Sequence, residues 1–381
     1  MKCSGKNALT GEWITVDSGA GVAIQMVDPV LEPRDTSAVV DYVSPGFIDL
    51  QVNGFAGVDF NSPNAPHADI ERATRAILST GVTRFLPTII TGDPGKMLAA
   101  LRNLAVARET IDWGEAIEGF HVEGPHISVE DGPRGAHPKQ WVRPPDAEEF
   151  LRWYDAAEGN IRIVTLAPEW PGACAYIEAV TREGVVASIG HTRATAQQIR
   201  DAVSAGATMC THLGNGAGSK TRTEEFITAQ FDEPRLAASF IVDDHHLPDD
   251  FLMRALDAKG LDRSVLVTDA VAPAMCPPGD YLLGGVEVHL HEGDRVTLRG
   301  GTRLAGSALR MDHAIGNVMR RARLNLAQAV LMATTNAARV GRIRGRLRGL
   351  QPGERADVVK FRVFGGQVVV SEVYLGGARV G

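Results

Sequence analysis

The chain has 381 residues, of which 44% are hydrophobic and 22% charged, as in an ordinary globular protein. Its formal net charge of −7 at pH 7 argues against nucleic acid as a partner, because binding a phosphate backbone calls for a basic surface, although a few local cations can still hold one small anion. The four cysteines form no C-x-x-C pair, the N-terminus has no signal-peptide apolar core, and no run reaches the roughly 20 apolar residues that cross a bilayer, so we expect a cytoplasmic protein without a membrane partner.

Short continuous apolar runs alternate with amphipathic stretches along the middle of the chain. The predicted strands are 46–52, 83–90, 118–122, 161–166, 185–189, 208–210, 237–242 and 264–268. The predicted helices between them are 69–79, 96–109, 147–157, 173–182, 194–205 and 249–258. Continuous apolar runs are typical of parallel strands that are buried on both faces. Eight such strands with interposed helices predict a (β/α)8 barrel, although an open doubly wound sheet would show the same alternation.

The two ends of the chain have a different pattern. Both are rich in valine and in the turn-forming residues glycine, aspartate and proline, which is typical of short antiparallel strands. We therefore predict that residues 1–43 and 343–381 meet as one small β-sandwich domain, beside a catalytic barrel of residues 44–342.

Four residues with ionisable or metal-binding side chains come one or two positions after the end of a predicted strand. They are Glu123, His191, His212 and Asp269. In a parallel barrel the C-terminal strand ends meet at one mouth, where barrel enzymes place their catalytic side chains. The gaps between the four positions fit two, one and two strand–helix units, since one such unit takes at least about 20 residues. The four side chains are therefore expected on the third, fifth, sixth and eighth strands, facing the same mouth.

The residue types suit a metal-dependent hydrolase. Two imidazoles and a carboxylate make a three-ligand site with a position left for water or substrate. Zinc fits this donor set best, and ferrous iron accepts the same ligands. A bound metal polarises a carbonyl and acidifies water, so that Asp269 can move a proton to the leaving amine. Each histidine alone also fits a structural role, and Asp269 alone fits a helix cap, so the hypothesis depends on their joint placement.

Seven motifs, taken together and in order, carry a family resemblance. They are PGFIDLQVNG at 45–54, HVEGPH at 121–126, GAH at 135–137, IGHT at 189–192, THLGN at 211–215, VTDA at 267–270 and LAGS at 304–307. With them the chain resembles the N-acetylglucosamine-6-phosphate deacetylases of the amidohydrolase superfamily over nearly its whole length. The resemblance implies a barrel with a small β domain, one divalent metal ion per subunit, and a homodimer. It also implies hydrolysis of the acetamide of an N-acetylated amino-sugar 6-phosphate in amino-sugar catabolism.

The resemblance further assigns roles by motif position. Glu123, His191 and His212 are expected to bind the metal, and Asp269 to act as the acid/base. The substrate-binding positions are expected to be Ala136, His137, Asn215, Gly216, Arg222, His246, Leu304, Ala305 and Gly306. Within this set His137 would point at the substrate carbonyl or the sugar, and would count with Asp269 as catalytic.

The end of the first barrel strand departs from the His-x-His pattern that many amidohydrolases use for a second metal. It reads Gln51-Val52-Asn53. Neutral amides are much poorer ligands than imidazole for a transition metal. We therefore predict a single metal, with Gln51 and Asn53 filling the second position through hydrogen bonds.

The loop after the sixth strand also departs from the family pattern, in which Asn-Ala precedes a phosphate-binding arginine. Here residues 215–225 read NGAGSKTRTEE, so Arg222 is the nearest candidate and Lys220 the reserve, with two glutamates close behind. Phosphate recognition is thus less firmly predicted than deacetylation. His245 competes with His246 for the substrate position, and the sequence leaves this choice open, while His126 is expected to have a packing role.

Other functions fit the sequence less well. A cyclic-amide hydrolase would need a carboxylated lysine at the end of the fourth strand, where TLAPE at 165–169 has none. A deacetylase of a related sugar, either the galacto epimer or an unphosphorylated one, stays open. So does a catalytically silent sugar-phosphate-binding protein, although such a protein has no need of an acid/base at Asp269.

Overall fold

The computed structural model describes residues 1–32, 39–215 and 222–380. The strands in these ranges are β1 Lys2–Asn7, β2 Trp13–Asp17, β3 Met26–Pro29, β4 Tyr42–Pro45, β5 Phe47–Val52, β6 Gly54–Phe55, β7 Val58–Asp59, β8 Val82–Ile90, β9 Phe120–Glu123, β10 Ile161–Leu166, β11 Val186–Ile189, β12 Met209–Cys210, β13 Ala237–Phe240, β14 Ser264–Leu266, β15 Gly279–Leu283, β16 Val286–Leu290, β17 Val296–Leu298, β18 Val358–Phe364, β19 Gln367–Leu375 and β20 Ala378–Arg379. The α-helices are α1 His67–Ser79, α2 Pro94–Thr110, α3 Ala147–Ala156, α4 Ala173–Arg182, α5 Ala196–Ser204, α6 Glu225–Asp232, α7 Asp249–Lys259, α8 Met311–Arg321, α9 Leu326–Met332 and α10 Thr335–Val340.

Eight parallel strands form the barrel, in the order β5-β8-β9-β10-β11-β12-β13-β14. The first and last strands are joined at the mouth, where Val52 pairs with Ala270 and the Asp269 amide donates to the Gln51 carbonyl at 3.0 Å. Because consecutive strands are neighbours and the two edges meet, the sheet is a barrel and not an open doubly wound sheet. The predicted (β/α)8 fold is therefore confirmed.

Strands from both chain ends build one mixed seven-stranded sheet, in the order β20-β19-β18-β4-β1-β2-β3. β1 runs parallel to β4, and β4 runs antiparallel to β18, so the N- and C-terminal segments are interleaved in a single sheet. The sheet has a small hydrophobic core of its own around Val16, Val43 and Val358. The predicted β domain from both ends is confirmed, while its exact bounds at residues 43 and 343 stay a prediction.

The eight barrel strands and the six predicted helices agree with the structure to within two residues at either end. The sequence did not predict α6, the helices α8 to α10, or the antiparallel sheet of β15, β16 and β17, which is inserted after the last barrel strand. Within the described ranges, no helix combines the length and the apolar character that a bilayer crossing requires.

Candidate active site

Three potential metal ligands converge at the barrel mouth. Glu123 is the last residue of β9, and His191 and His212 follow β11 and β12. The Oε1 atom of Glu123 lies 2.8 Å from His212 Nε2 and 3.1 Å from His191 Nε2, and the two ring nitrogens are 3.1 Å apart. In the described part of the chain, these three residues form the one cluster of histidine, cysteine or carboxylate side chains with metal-binding spacing.

The chemistry of this donor set fits a divalent cation. The Nδ1 atom of His191 lies 2.7 Å from the Pro133 carbonyl, which only accepts, so the ring proton of neutral His191 is on Nδ1. The unprotonated Nε2 then faces a carboxylate oxygen and a second ring nitrogen. Burial opposes ionisation of Glu123, but the imidazole groups of His191 and His212 beside its carboxylate outweigh burial and hold its pKa well below the usual range. An ionised carboxylate and two imidazoles at these distances form an open three-ligand site of the kind that binds zinc or ferrous iron.

Backbone conformation aims these side chains into the mouth. His191, His212 and Asp269 have φ angles of +50°, +30° and +51°, in the left-handed region that costs a residue with a Cβ atom about 1–3 kcal/mol. Buried hydrogen bonds hold the strained residues in place. The Ser239 hydroxyl accepts from the His212 amide at 2.8 Å, and the Ser307 amide donates to the Asp269 carbonyl at 2.9 Å. Left-handed backbone at three positions that line one cavity is typical of a functional site, where strain is kept because it orients the side chains.

Asp269 lies beside the donor set and is held by two amides. Gln51 Nε2 donates to both Asp269 Oδ1 and Glu123 Oε1, each at 3.0 Å, and Asn53 Nδ2 donates to Asp269 Oδ1. Burial and the nearby charge of Glu123 raise the pKa of Asp269 to about 6, and His212 and the Asn53 hydrogen bond partly offset this rise. A carboxyl group with such a pKa can both accept and release a proton near neutrality.

The donor atoms open into a cavity of about 270 Å³. Every predicted substrate-binding residue that the structure describes lines it, namely Ala136, His137, Asn215, Arg222, His246, Leu304, Ala305 and Gly306. The remaining predicted position, Gly216, lies outside the described residues, as does Lys220. The motifs quoted from separate parts of the sequence therefore surround one cavity.

His137 and His246 are both fixed by a partner behind the ring. The Nδ1 atom of His137 lies 2.9 Å from the Thr91 hydroxyl, and burial, with the neighbouring His191, lowers the pKa of His137 to about 3. The Nδ1 atom of His246 lies 2.7 Å from Asp243 Oδ2. His245 instead contacts the Gly293 carbonyl and does not line the cavity, so of the two adjacent histidines His246 faces the cavity.

Arg222 reaches the cavity from the loop after β12. Its Nε and Nη2 atoms donate to the carbonyl oxygens of Gly214 and His246, both at 2.7 Å, and its guanidinium lies 5.5 Å from the centre of the Phe251 ring. Burial lowers the pKa of Arg222, against the charges of Glu224 and Asp250. His126 is buried between Trp153 and Tyr176 and does not line the cavity, in keeping with a packing role.

Several residues of the site were not predicted from the sequence. Gly132, Ile90, Leu283 and Arg303 line the cavity, and Thr91 and Asp243 support the two histidines behind it. Thr91 directly follows a strand that the sequence did predict, so its position was the available signal. Leu283 and Arg303 belong to the inserted segment and had no such signal.

A parallel barrel with a glutamate, two histidines and a buried aspartate at its strand ends has the architecture of the metal-dependent barrel hydrolases. The family model described as "Amidohydrolase family" matches residues 42–380. An N-acetylgalactosamine-6-phosphate deacetylase from Escherichia coli is 33% identical over 348 residues, which cover 91% of this chain and 89% of the relative. The human N-acetylglucosamine-6-phosphate deacetylase is also 33% identical, over 92% of this chain and 85% of the relative.

Comparison with solved structures points to the same group of enzymes as comparison with these relatives. The N-acetyl-D-glucosamine-6-phosphate deacetylase of Mycobacterium smegmatis, in a complex with N-acetyl-D-glucosamine-6-phosphate, superposes with a TM-score of 0.87 at 29% identity, covering 100% of this chain and 99% of that one. The enzyme from Pasteurella multocida superposes with a TM-score of 0.84 at 26% identity, covering 98% and 97%. The chain belongs to the amidohydrolase family and, within it, to the amino-sugar-6-phosphate deacetylases. The resemblance found in the sequence motifs is thus confirmed.

Proposed function

We propose that this chain hydrolyses the acetamide of N-acetyl-D-glucosamine 6-phosphate, giving acetate and the amino-sugar 6-phosphate. The observation that carries the proposal is the convergence of Glu123, His191, His212 and Asp269 in one cavity. That arrangement suits amide hydrolysis, in which water adds to the carbonyl carbon, the C–N bond breaks, and a proton moves to the leaving nitrogen.

The metal-binding residues in this proposal are Glu123, His191 and His212. A divalent ion held there, zinc or ferrous iron, would lower the pKa of water and polarise the acetamide carbonyl. Asp269 accepts the proton of the attacking water and returns it to the amine nitrogen. The raised pKa of Asp269, about 6, suits both halves of that transfer.

His137 is proposed to orient the acetamide carbonyl. Its lowered pKa keeps the ring neutral, so that one of its nitrogens donates and the other accepts. When the Thr91 hydroxyl donates to Nδ1, the Nε2–H group is left to donate to the carbonyl oxygen. This donor would strengthen its hydrogen bond as negative charge develops on the oxygen.

The remaining lining residues are proposed to bind the sugar phosphate. Arg222, His246 and Asn215 supply polar groups to the phosphate, together with Gly216, whose place the sequence alone assigns. Ala136 and the segment 304–306 form the walls around the sugar.

A single metal per subunit is proposed, because Gln51 and Asn53 direct amide N–H groups at the two carboxylates, where a second cation would otherwise balance their charge. Zinc as the preferred ion, a homodimer and a cytoplasmic location stay predictions from the sequence and the family.

The test is acetate release by the purified protein after reconstitution with zinc or ferrous iron. N-acetylglucosamine 6-phosphate, its galacto epimer and both unphosphorylated sugars are compared at equal concentration. The proposal expects the highest kcat/KM for the gluco phosphate. The galacto epimer is the second candidate, because a relative that is 33% identical carries that name. Equal rates with unphosphorylated sugars would contradict the phosphate requirement, and metal-loaded protein that releases no acetate from any of them would indicate a binding protein.

A further inference from the structure

We propose that Arg303 is a specificity-determining residue that contacts the phosphate of the substrate, in addition to Arg222. The inference rests on the proposed function, since it takes a phosphorylated amino sugar as the ligand. Arg303 directly precedes the sugar-lining segment 304–306 and follows the inserted sheet of β15, β16 and β17. It belongs to none of the motifs that carry the family resemblance, and it lines the same cavity as the metal-binding residues.

The guanidinium of Arg303 is held in position by a backbone carbonyl, but no described carboxylate balances its charge. Its Nη1 atom donates to the Gly135 carbonyl at 3.1 Å, which holds the side chain at the rim of the cavity. A guanidinium has five N–H donors, so several are left for a ligand. Among the described residues, no carboxylate forms an ion pair with Arg303, whereas Arg299 of the same inserted segment pairs with both Asp280 and Glu287.

The charge of a phosphate group favours a second arginine in the cavity. The divalent ion proposed at Glu123 would offset the charges of Glu123 and Asp269, but it would leave those of a phosphate unbalanced. Arg222 directs two of its N–H groups at the carbonyl oxygens of Gly214 and His246. Among the described residues, Arg222 and Arg303 are the arginines that line the cavity, so without Arg303 a phosphate that bears close to two negative charges would meet a single arginine. Arg303 places a second guanidinium at the rim of the cavity. A guanidinium suits phosphate because it is planar and can donate hydrogen bonds to two phosphate oxygens at once.

The competing interpretation is that Arg303 acts only through Gly135, by tethering the loop that carries Ala136 and His137. The two interpretations predict different substrate dependence. A tether would affect phosphorylated and unphosphorylated ligands alike, because both contact that loop. A phosphate contact would affect only the phosphorylated ligands.

The experiment compares Arg303→Gln and Arg303→Lys with the control Arg299→Gln, which removes the same charge from the same inserted segment outside the cavity. KM and kcat are measured for N-acetylglucosamine 6-phosphate. Inhibition constants are measured for glucosamine 6-phosphate and for unphosphorylated glucosamine. For Arg303→Gln we expect KM and the inhibition constant of the phosphorylated product to rise about tenfold, with kcat and the glucosamine constant unchanged. We expect Arg303→Lys to recover part of the loss, and Arg299→Gln to match the wild type.

Two results would overturn the inference. Equal weakening of both inhibitors by Arg303→Gln would show a tether, and unchanged constants for the phosphorylated ligands would show no role. The proposed function is tested separately by the wild type. If the wild-type protein does not prefer the phosphorylated sugar, the proposed function fails. If it does and Arg303→Gln keeps that preference, only the role of Arg303 fails.

Discussion

The side-chain amide of Asn53 donates a hydrogen bond of 2.6 Å to the Oδ1 atom of Asp269. The same oxygen accepts from Gln51, which also donates to Glu123. The carbonyl oxygens of both amides are buried and have no hydrogen-bond partner among the described residues. The orientation of the amides is therefore set by the two carboxylates, and the amides position the carboxylate of Asp269 relative to that of Glu123.

Replacing Asn53 with alanine should lower kcat by about 10- to 100-fold, because a hydrogen bond to a charged group contributes about 1.5–3 kcal/mol. KM should change little, since Asn53 contacts Asp269, the proposed proton-transfer group. Steady-state kinetics check this, with metal content measured on the same samples. Asn103→Ala removes an amide that donates to the Ala65 carbonyl away from the cavity, and serves as the control. A rise in KM at constant kcat would mean that Asn53 binds substrate instead.

Replacing Asp269 with asparagine should lower kcat by about 100- to 10,000-fold, because the amide cannot carry the proton between water and amine. Metal content should stay at the wild-type level, since Asp269 is outside the three-donor cluster. Acetate release and elemental analysis measure the two effects. The exposed Asp294→Asn variant is the control. Turnover that survives in Asp269→Asn would refute the proposed mechanism.

Replacing His191 with alanine should abolish stoichiometric metal binding, because two donors remain where three converge. Elemental analysis should give one zinc or iron ion per wild-type chain and a small fraction of that in the variant. Dialysis against a chelator should inactivate the wild type, and added zinc or ferrous iron should restore it. His289→Ala changes a histidine that pairs with Asp280 on the inserted sheet, and should leave the metal content intact. Two ions per wild-type chain would contradict the single-metal proposal.

The three candidate metal ligands could be predicted from the sequence for a physical reason. A buried parallel strand is a continuous apolar run, and the polar residue that ends it must lie at the barrel mouth. Glu123 is the last residue of β9, and His191 and His212 come two residues after β11 and β12. The spacing of the strand–helix units was then enough to predict that the three side chains converge.

The position of Arg303 and the choice between His245 and His246 depend on three-dimensional contacts that leave no pattern in the sequence. Long-range hydrogen bonds hold the inserted sheet in place, such as the one from the Gly284 amide to Asp59 Oδ2 at 2.8 Å. The position of the sheet at the barrel mouth therefore could not be predicted from a local sequence pattern. The Oδ1 atom of Asp243 accepts hydrogen bonds from the backbone amides of both His245 and His246. Its Oδ2 atom contacts the ring of His246. This contact holds the ring of His246, while the ring of His245 contacts the Gly293 carbonyl.

The last prediction concerns stability and its pH dependence. Asp357 is buried where the C-terminal segment meets the barrel, and its carboxylate accepts from Arg84 Nε at 2.9 Å, Arg346 Nη1 at 2.8 Å and Arg355 Nε at 3.1 Å. Burial alone would raise the pKa of Asp357, but the charges of Arg346 and Arg84 outweigh burial and lower it. Asp357→Asn should therefore destabilise the protein by about 3–5 kcal/mol at pH 7, because buried Arg346 loses the one carboxylate that it pairs with among the described residues, and buried Arg84 keeps only Glu118, at 3.4 Å.

The pH dependence of this loss follows from the direction of the shift. A carboxyl group whose pKa is lower in the folded state stabilises the protein fully above its unfolded pKa, near 3.9, and the stabilisation is lost as the pH falls toward the folded pKa. The gap in Tm between the wild type and Asp357→Asn should thus be constant from pH 7 to 5 and should narrow only below about pH 4. Asp112→Asn breaks an exposed pair with Arg75 and should shift the free energy of unfolding by less than about 1 kcal/mol. If the Tm difference between the wild type and Asp357→Asn already narrows between pH 7 and 5, the surrounding arginines do not lower the pKa of Asp357.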